Sequence, residues 1–171
     1  LTSVAKRIGT PDTTTTLNDV FPADTLAYLI DAATAAGKYY QTQADVPPEA
    51  WESYPRIIVV DHGGVDAQSI PDTDGGSTVW TVDSPGILIV LGGDMDQTGH
   101  KKSIYGVVYL ANGILLRGNA EIHGLCVAQG SADLRGTRAV NYNAQVIANL
   151  NRPQVLSVKL VPNTWREVQP Q

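Results

Sequence analysis

One cysteine, Cys126, leaves no partner for an intrachain disulfide. It sits in the apolar run Leu125-Cys126-Val127, where it reads as a small buried hydrophobe. Aromatic residues make up only 6% of the 171, with one Phe and one Met, so the core has to be built from aliphatic side chains. Charge is scarce too. Charged residues are 17% of the chain and the net charge is −5, which supplies neither a basic footprint for nucleic acid nor a polybasic patch for a membrane surface. No apolar run approaches the ~20 residues of a membrane helix, and no secretory leader is visible. The chain starts at Leu1 rather than Met, as expected of a processed or truncated product.

Catalytic and phosphate-binding signatures are missing as well. There is no Gly-x-Ser-x-Gly, no phosphate-cradling Gly-Lys-Ser, no Cys-x-x-Cys, no His-x-x-x-His and no EF-hand loop. No aliphatic residue recurs every six positions, which argues against a hexapeptide-repeat acyltransferase.

What is present is glycine, proline and repetition. Sixteen Gly and ten Pro imply many tight turns. Gly106-Val-Val-Tyr-Leu110 returns as Gly124-Leu-Cys-Val-Ala128, and Leu116-Arg-Gly118 returns as Leu134-Arg-Gly136, both 18 residues on. A preceding copy starts at Gly86, 20 residues before Gly106, and Arg56–Val65 reads as a still earlier one. Each copy has a strand, a Gly turn, a shorter strand, another turn, and a third short strand such as Ser103–Tyr105 or Glu121–His123.

A strand residue rises about 3.3 Å and neighbouring strands lie about 4.8 Å apart, so ~18 residues can close one coil and pair in parallel with the next. The expected fold is mainly β: a short parallel β-solenoid of about four coils. Ile87/Ile89, Val107/Tyr109 and Leu125/Val127, or their neighbours, would line its central column. Residues 1–55 form an N-terminal extension with a packing helix, 56–139 the coils, and 140–171 a C-terminal cap and tail, all in one folded domain.

The packing helix is expected over Ala23–Ala36. Leu26, Leu29, Ile30 and Ala33 fall at helical spacing, Asp24 suits the first turn and Gly37 the C-terminal cap. Residues 41–55 read as loop because of Pro47-Pro48, and Thr78–Val82 as a short strand. Asn143–Asn149 reads as a helix and Gln154–Pro162 as a closing strand. These end elements are expected to cover the open ends of the stack.

Acids cluster in turns. Asp72, Asp74, Asp94 and Asp96 are the calcium candidates, although the preferred reading of all four is as solvated turn carboxylates. His62, His100 and His123 each lie near a Gly turn, with Asp61 and Asp66 flanking His62. A polysaccharide-cleaving site would draw on Asp94, Asp96, Asp133, Arg117 and Arg135, with the two Arg on neighbouring coils. Trp51, Trp80 and Trp165 read as cap or lid anchors. No catalytic residue and no cofactor is assigned, and the chain is read as not an enzyme.

"GILIVLGGDMDQTG", "IYGVVYLANGILLRGNAEIHGLCVAQGS", "VNYNAQVIANL", "LVPNTWRE" and the earlier "LNDVFPADTLAYLIDAATAAGKYY" together resemble the C-terminal β-solenoid domain of PilX-type pilus-assembly proteins, which are minor-pilin-like. The resemblance spans Leu17 to Glu167. It implies a right-handed solenoid and a structural role, in assembly or cell adhesion, in a bacterial surface or type IV pilus-associated protein. It also implies an extracellular or periplasm-facing location. The implied partners are other pilus or surface proteins and surface polysaccharide, with any membrane anchor outside this chain. Alternative readings are a polysaccharide-binding or -cleaving β-helix protein, and a self-polymerising scaffold resembling the bactofilins, whose coil length is similar.

Overall fold

A computed structural model describes residues 23–73, 77–97, 102–118, 120–130, 132–136 and 139–150. Helix α1 (Ala23–Ala35) leads into strand β1 (Tyr39–Tyr40), a 3-10 turn (Gln43–Asp45) and helix α2 (Pro48–Glu52). Strands β2 (Ile57–Val60) and β3 (Val65–Asp66) follow, then a second 3-10 turn (Ala67–Ser69), β4 (Asp72–Thr73) and β5 (Ser77–Thr78). The remaining strands are β6 (Gly86–Val90), β7 (Met95–Gln97), β8 (Lys102–Leu110), β9 (Ile114–Gly118), β10 (Ala120–Ala128), β11 (Ala132–Gly136) and β12 (Ala139–Asn141), and helix α3 (Ala144–Leu150) closes the described chain.

Two sheets result. The first runs β1-β2-β6-β8-β10-β12 with every neighbour parallel, and the antiparallel β4–β5 pair joins it where Ser77 meets Ser103. The second is β11-β9-β7-β3, also parallel. The repeat sets the register: Val108 pairs with Cys126, Leu116 with Leu134, and Gly86 with Gly106.

The expectation of a mainly β, short right-handed parallel β-solenoid is corrected. The chain is a mixed α/β structure around a parallel path of six strands, and no solenoid is evident. The reason lies in the strands themselves. Ile57–Val60 and Gly86–Val90 are buried at every position, so both faces of the first sheet need cover.

One face carries Ile57, Val59, Ile87, Ile89, Val107, Tyr109 and Val127, packed with Leu29 and Ala33 of α1 and Leu150 of α3. The other carries Ile58, Val60, Leu88, Val90, Val108, Leu110 and Cys126, packed with Val65 of β3, Met95 of β7, Trp51 and Trp80. The order is helices, six-stranded sheet, four-stranded sheet. The residues expected to line a central column therefore face the helices, and their neighbours fill the space between the sheets. The two described helices expected at the ends of the stack lie on a face of the sheet instead.

Local signals explain most helix boundaries. Gly37, at φ +69°, ends α1 in the left-handed conformation that a side chain resists. Asn143 starts α3, its Oδ1 accepting from the N–H groups of Gln145 and Val146 at 3.0 and 3.1 Å. The loop expectation for residues 41–55 is corrected by α2, in which Pro48 takes the first helical position, where its missing N–H costs nothing. The short strand expected over Thr78–Val82 is reduced to Ser77–Thr78, and Ser103–Tyr105 and Glu121–His123 are continuous with β8 and β10. The expected closing strand lies outside the described residues.

The margin of the four-stranded sheet at β3 is closed by a side chain. The Gln43 amide donates to the Asp66 carbonyl and accepts from the Asp66 N–H, both at 2.8 Å, imitating a neighbouring strand.

Candidate functional site

The described acids singled out in the sequence have separate surroundings. Asp72 pairs with the buried Lys102 ammonium at 3.3 Å, and the same ammonium donates to the Gln68 carbonyl at 3.2 Å. Asp94 Oδ1 accepts from the Gly113 N–H at 2.8 Å. Asp96 on β7 is the register partner of Asp66 on β3, and its Oδ1 is buried with no hydrogen-bond partner. Asp66 itself caps the second 3-10 turn through the Gln68 N–H at 2.9 Å. Asp74 and His100 lie outside the described residues. Among the described residues, no group of three or more His, Cys, Asp or Glu is placed to hold a metal ion.

Asp94 has a structural reason to be where it is. From Val90 to Met95 the turn spans one residue more than the paired turn from Leu110 to Ile114. Main-chain bonds cross the other turns, Gly64 N–H to Gly92 O at 2.8 Å and Gly130 N–H to Asn112 O at 2.9 Å. At the mismatched turn the Asp94 carboxylate supplies the acceptor for Gly113.

The histidines are scattered. His62 is largely exposed and touches the Asp61 carboxylate at 3.3 Å. His123 belongs to a connected polar group of the first sheet. Its Nε2 lies 3.1 Å from Glu121 Oε2, and its ring stacks on Tyr105 at 4.7 Å between centroids and 13° between planes. Ser103 Oγ donates to the same Glu121 oxygen at 3.4 Å. The repeat places these residues. Ser103 pairs with Glu121 and Tyr105 with His123, and His123 in turn with Asn141 on β12. The sequence held the signal in the echo of "SIYG" by "EIHG".

In the four-stranded sheet Arg117 and Arg135 hold register-paired backbone positions, as do Leu115 and Asp133. Trp51 and Trp80 are buried together, with ring centroids 5.6 Å apart, and the Trp80 indole N–H donates to the Trp51 carbonyl at 2.7 Å. They are interior anchors, and Trp165 lies outside the described residues. A shallow cleft of about 330 Å³ near Trp51 is lined by Gln43, Ala44, Val46, Trp51 and Ser69, without a titratable side chain.

Lys38 was not singled out in the sequence, where its only mark is its place just after the capping Gly37. It is buried, and its ammonium donates to the carbonyls of Ala50 at 2.9 Å, Pro55 at 2.7 Å and Ser53, tying the end of α2 to the start of β2. Burial, and then the neighbouring Arg56 guanidinium, bring its pKa down to about 8. The Arg56 guanidinium lies over the Tyr54 ring, 4.1 Å from its centroid. Burial pushes the Cys126 thiol up to about 12, so the thiolate needed for reactivity is suppressed.

No helix among the described residues is long and apolar enough to cross a membrane. Comparison with family models, curated proteins and solved structures gives no match.

Proposed function

We propose that this chain is a non-enzymatic structural domain of a bacterial surface or type IV pilus-associated protein, supporting assembly or adhesion from the extracellular or periplasm-facing side. One observation carries the reading: four polar side chains of the described interior each donate to main-chain carbonyls. Lys38 holds three carbonyls, Lys102 the Gln68 carbonyl, Trp80 the Trp51 carbonyl, and Asn149 the Val82 carbonyl at 2.7 Å. Groups committed in this way stiffen the chain and are poorly placed to move protons at a substrate.

The setting rests on the sequence resemblance to PilX-type proteins. Its partners are other pilus or surface proteins and surface polysaccharide. The Glu121–His123 pair is poorly arranged for polysaccharide cleavage, because its 3.1 Å contact leaves no room between the two side chains for a glycosidic bond and water.

The test is chemical cross-linking on intact bacteria carrying the natural full-length protein, followed by recovery of sheared surface material. Co-recovery with pilus subunits is the expected result. Recovery from the cytosol, or loss of a measured polysaccharide-cleaving activity on Glu121→Gln, would overturn the proposal.

A further inference from the structure

The turn between β8 and β9 contains Asn112-Gly113, the single Asn-Gly step in the chain. Such a step can modify itself. The glycine amide nitrogen loses its proton to hydroxide and attacks the asparagine Cγ, helped because glycine has no Cβ to obstruct the approach. A new N–C bond closes a five-membered succinimide and ammonia leaves. Water then opens the ring to an aspartyl or an isoaspartyl residue. No oxidant or reductant takes part.

Here the asparagine is exposed to solvent and Gly113 is buried. The peptide unit that must rearrange is held on both sides. The Gly113 N–H donates to Asp94 Oδ1 at 2.8 Å, and the Asn112 carbonyl of the same unit accepts from Gly130 N–H at 2.9 Å. The Gly113 carbonyl accepts from Met95 N–H at 3.2 Å. Attack requires the nitrogen to surrender a proton that a carboxylate is holding and to leave the plane that these bonds fix. The adjacent negative charge also opposes the amide anion through which the attack proceeds.

We propose that Asn112-Gly113 is a latent self-modification site, restrained by Asp94. Either product places a new carboxylate on the turn beside Asp94. The isoaspartyl form also adds a methylene to the main chain where β7, β8 and β9 meet, so reaction at this one turn weakens the join between the two sheets.

The test follows deamidation at Asn112 in the tryptic peptide Ser103–Arg117, by its mass increase and by enzymatic isoaspartate detection, during incubation at mildly alkaline pH. Folded wild-type protein should react at least about tenfold more slowly than the same protein in urea. Asp94→Ala, or the near-isosteric Asp94→Leu, which also lacks an acceptor, if the alanine variant does not fold, should accelerate the folded protein by about tenfold, the scale of a lost hydrogen bond to a charged group. Circular dichroism establishes that the variant is folded. Equal rates for native and denatured wild type would overturn the proposal. So would a folded Asp94 variant that reacts at the wild-type rate, or more slowly, the latter meaning that the carboxylate acts as a base for the reaction.

Discussion

Gly106 shows how little freedom single residues have in this stack. It sits at φ +152°, and a Cβ there would lie 1.9 Å from the Gly86 carbonyl oxygen of the neighbouring strand. Gly106→Ala is expected to cost roughly 2–4 kcal/mol, read from the urea midpoint at unchanged slope. Lys38→Met would leave the Ala50, Ser53 and Pro55 carbonyls without their shared donor, at a cost of about 3 kcal/mol by the same measurement. Cys126 makes a pH prediction. Its thiol keeps its proton in the folded chain up to about 12, whereas the unfolded chain loses it near 9. The folded form holds more protons in that window, so its contribution to stability falls as pH rises, by at most about 1.4 kcal/mol per pH unit. Lys38 acts in the opposite sense between about 8 and 10.5, where the unfolded chain holds the extra proton. The Cys126 effect is therefore best isolated by comparing wild type with Cys126→Ala, and the stability difference between them should shrink from pH 9 upward.

Among the elements, the central strands are covered on both faces, and this can be checked directly. Leu88 faces the second sheet and Ile89 faces the helices, and both are fully buried. Leu88→Ala and Ile89→Ala should each cost about 2–5 kcal/mol in chemical denaturation. A strand with one solvated face would show the loss at only one of them. Much of this layer was legible in the sequence. The 18-residue echo gave the parallel register of β8 with β10 and of β9 with β11, because identical spacing stacks like on like. Gly37 and Asn143 marked helix boundaries through backbone chemistry that a single residue carries. The architecture is less legible from the period than from runs such as Ile57–Val60, whose unbroken apolarity requires cover on two sides. The short helix after Pro47 is hidden in the sequence because a proline pair reads equally as a helix breaker and as a helix start. The site residues were less legible. Asp94 could be seen as a turn acid, but its bond to Gly113 depends on a one-residue difference between two turns. Lys38 finds its three carbonyls only when α2 and β2 fold back on it.

On the scale of the whole molecule, residues from all three expected segments contribute to the same pair of cores, from Leu29 and Trp51 through the central strands to Leu150. With Lys38, Lys102, Trp80 and Asn149 each donating to main-chain carbonyls, the described interior forms a stiff body.

The Gln43 amide gives that body a polarity. By occupying the hydrogen-bonding groups of Asp66, it leaves an incoming foreign strand nothing to grip on that side, so the protein is insulated from runaway fibre growth there by one side chain. Gln43→Ala would remove the plug, and the expected outcome is association that rises with concentration in analytical ultracentrifugation, while wild type at the same loading does not change.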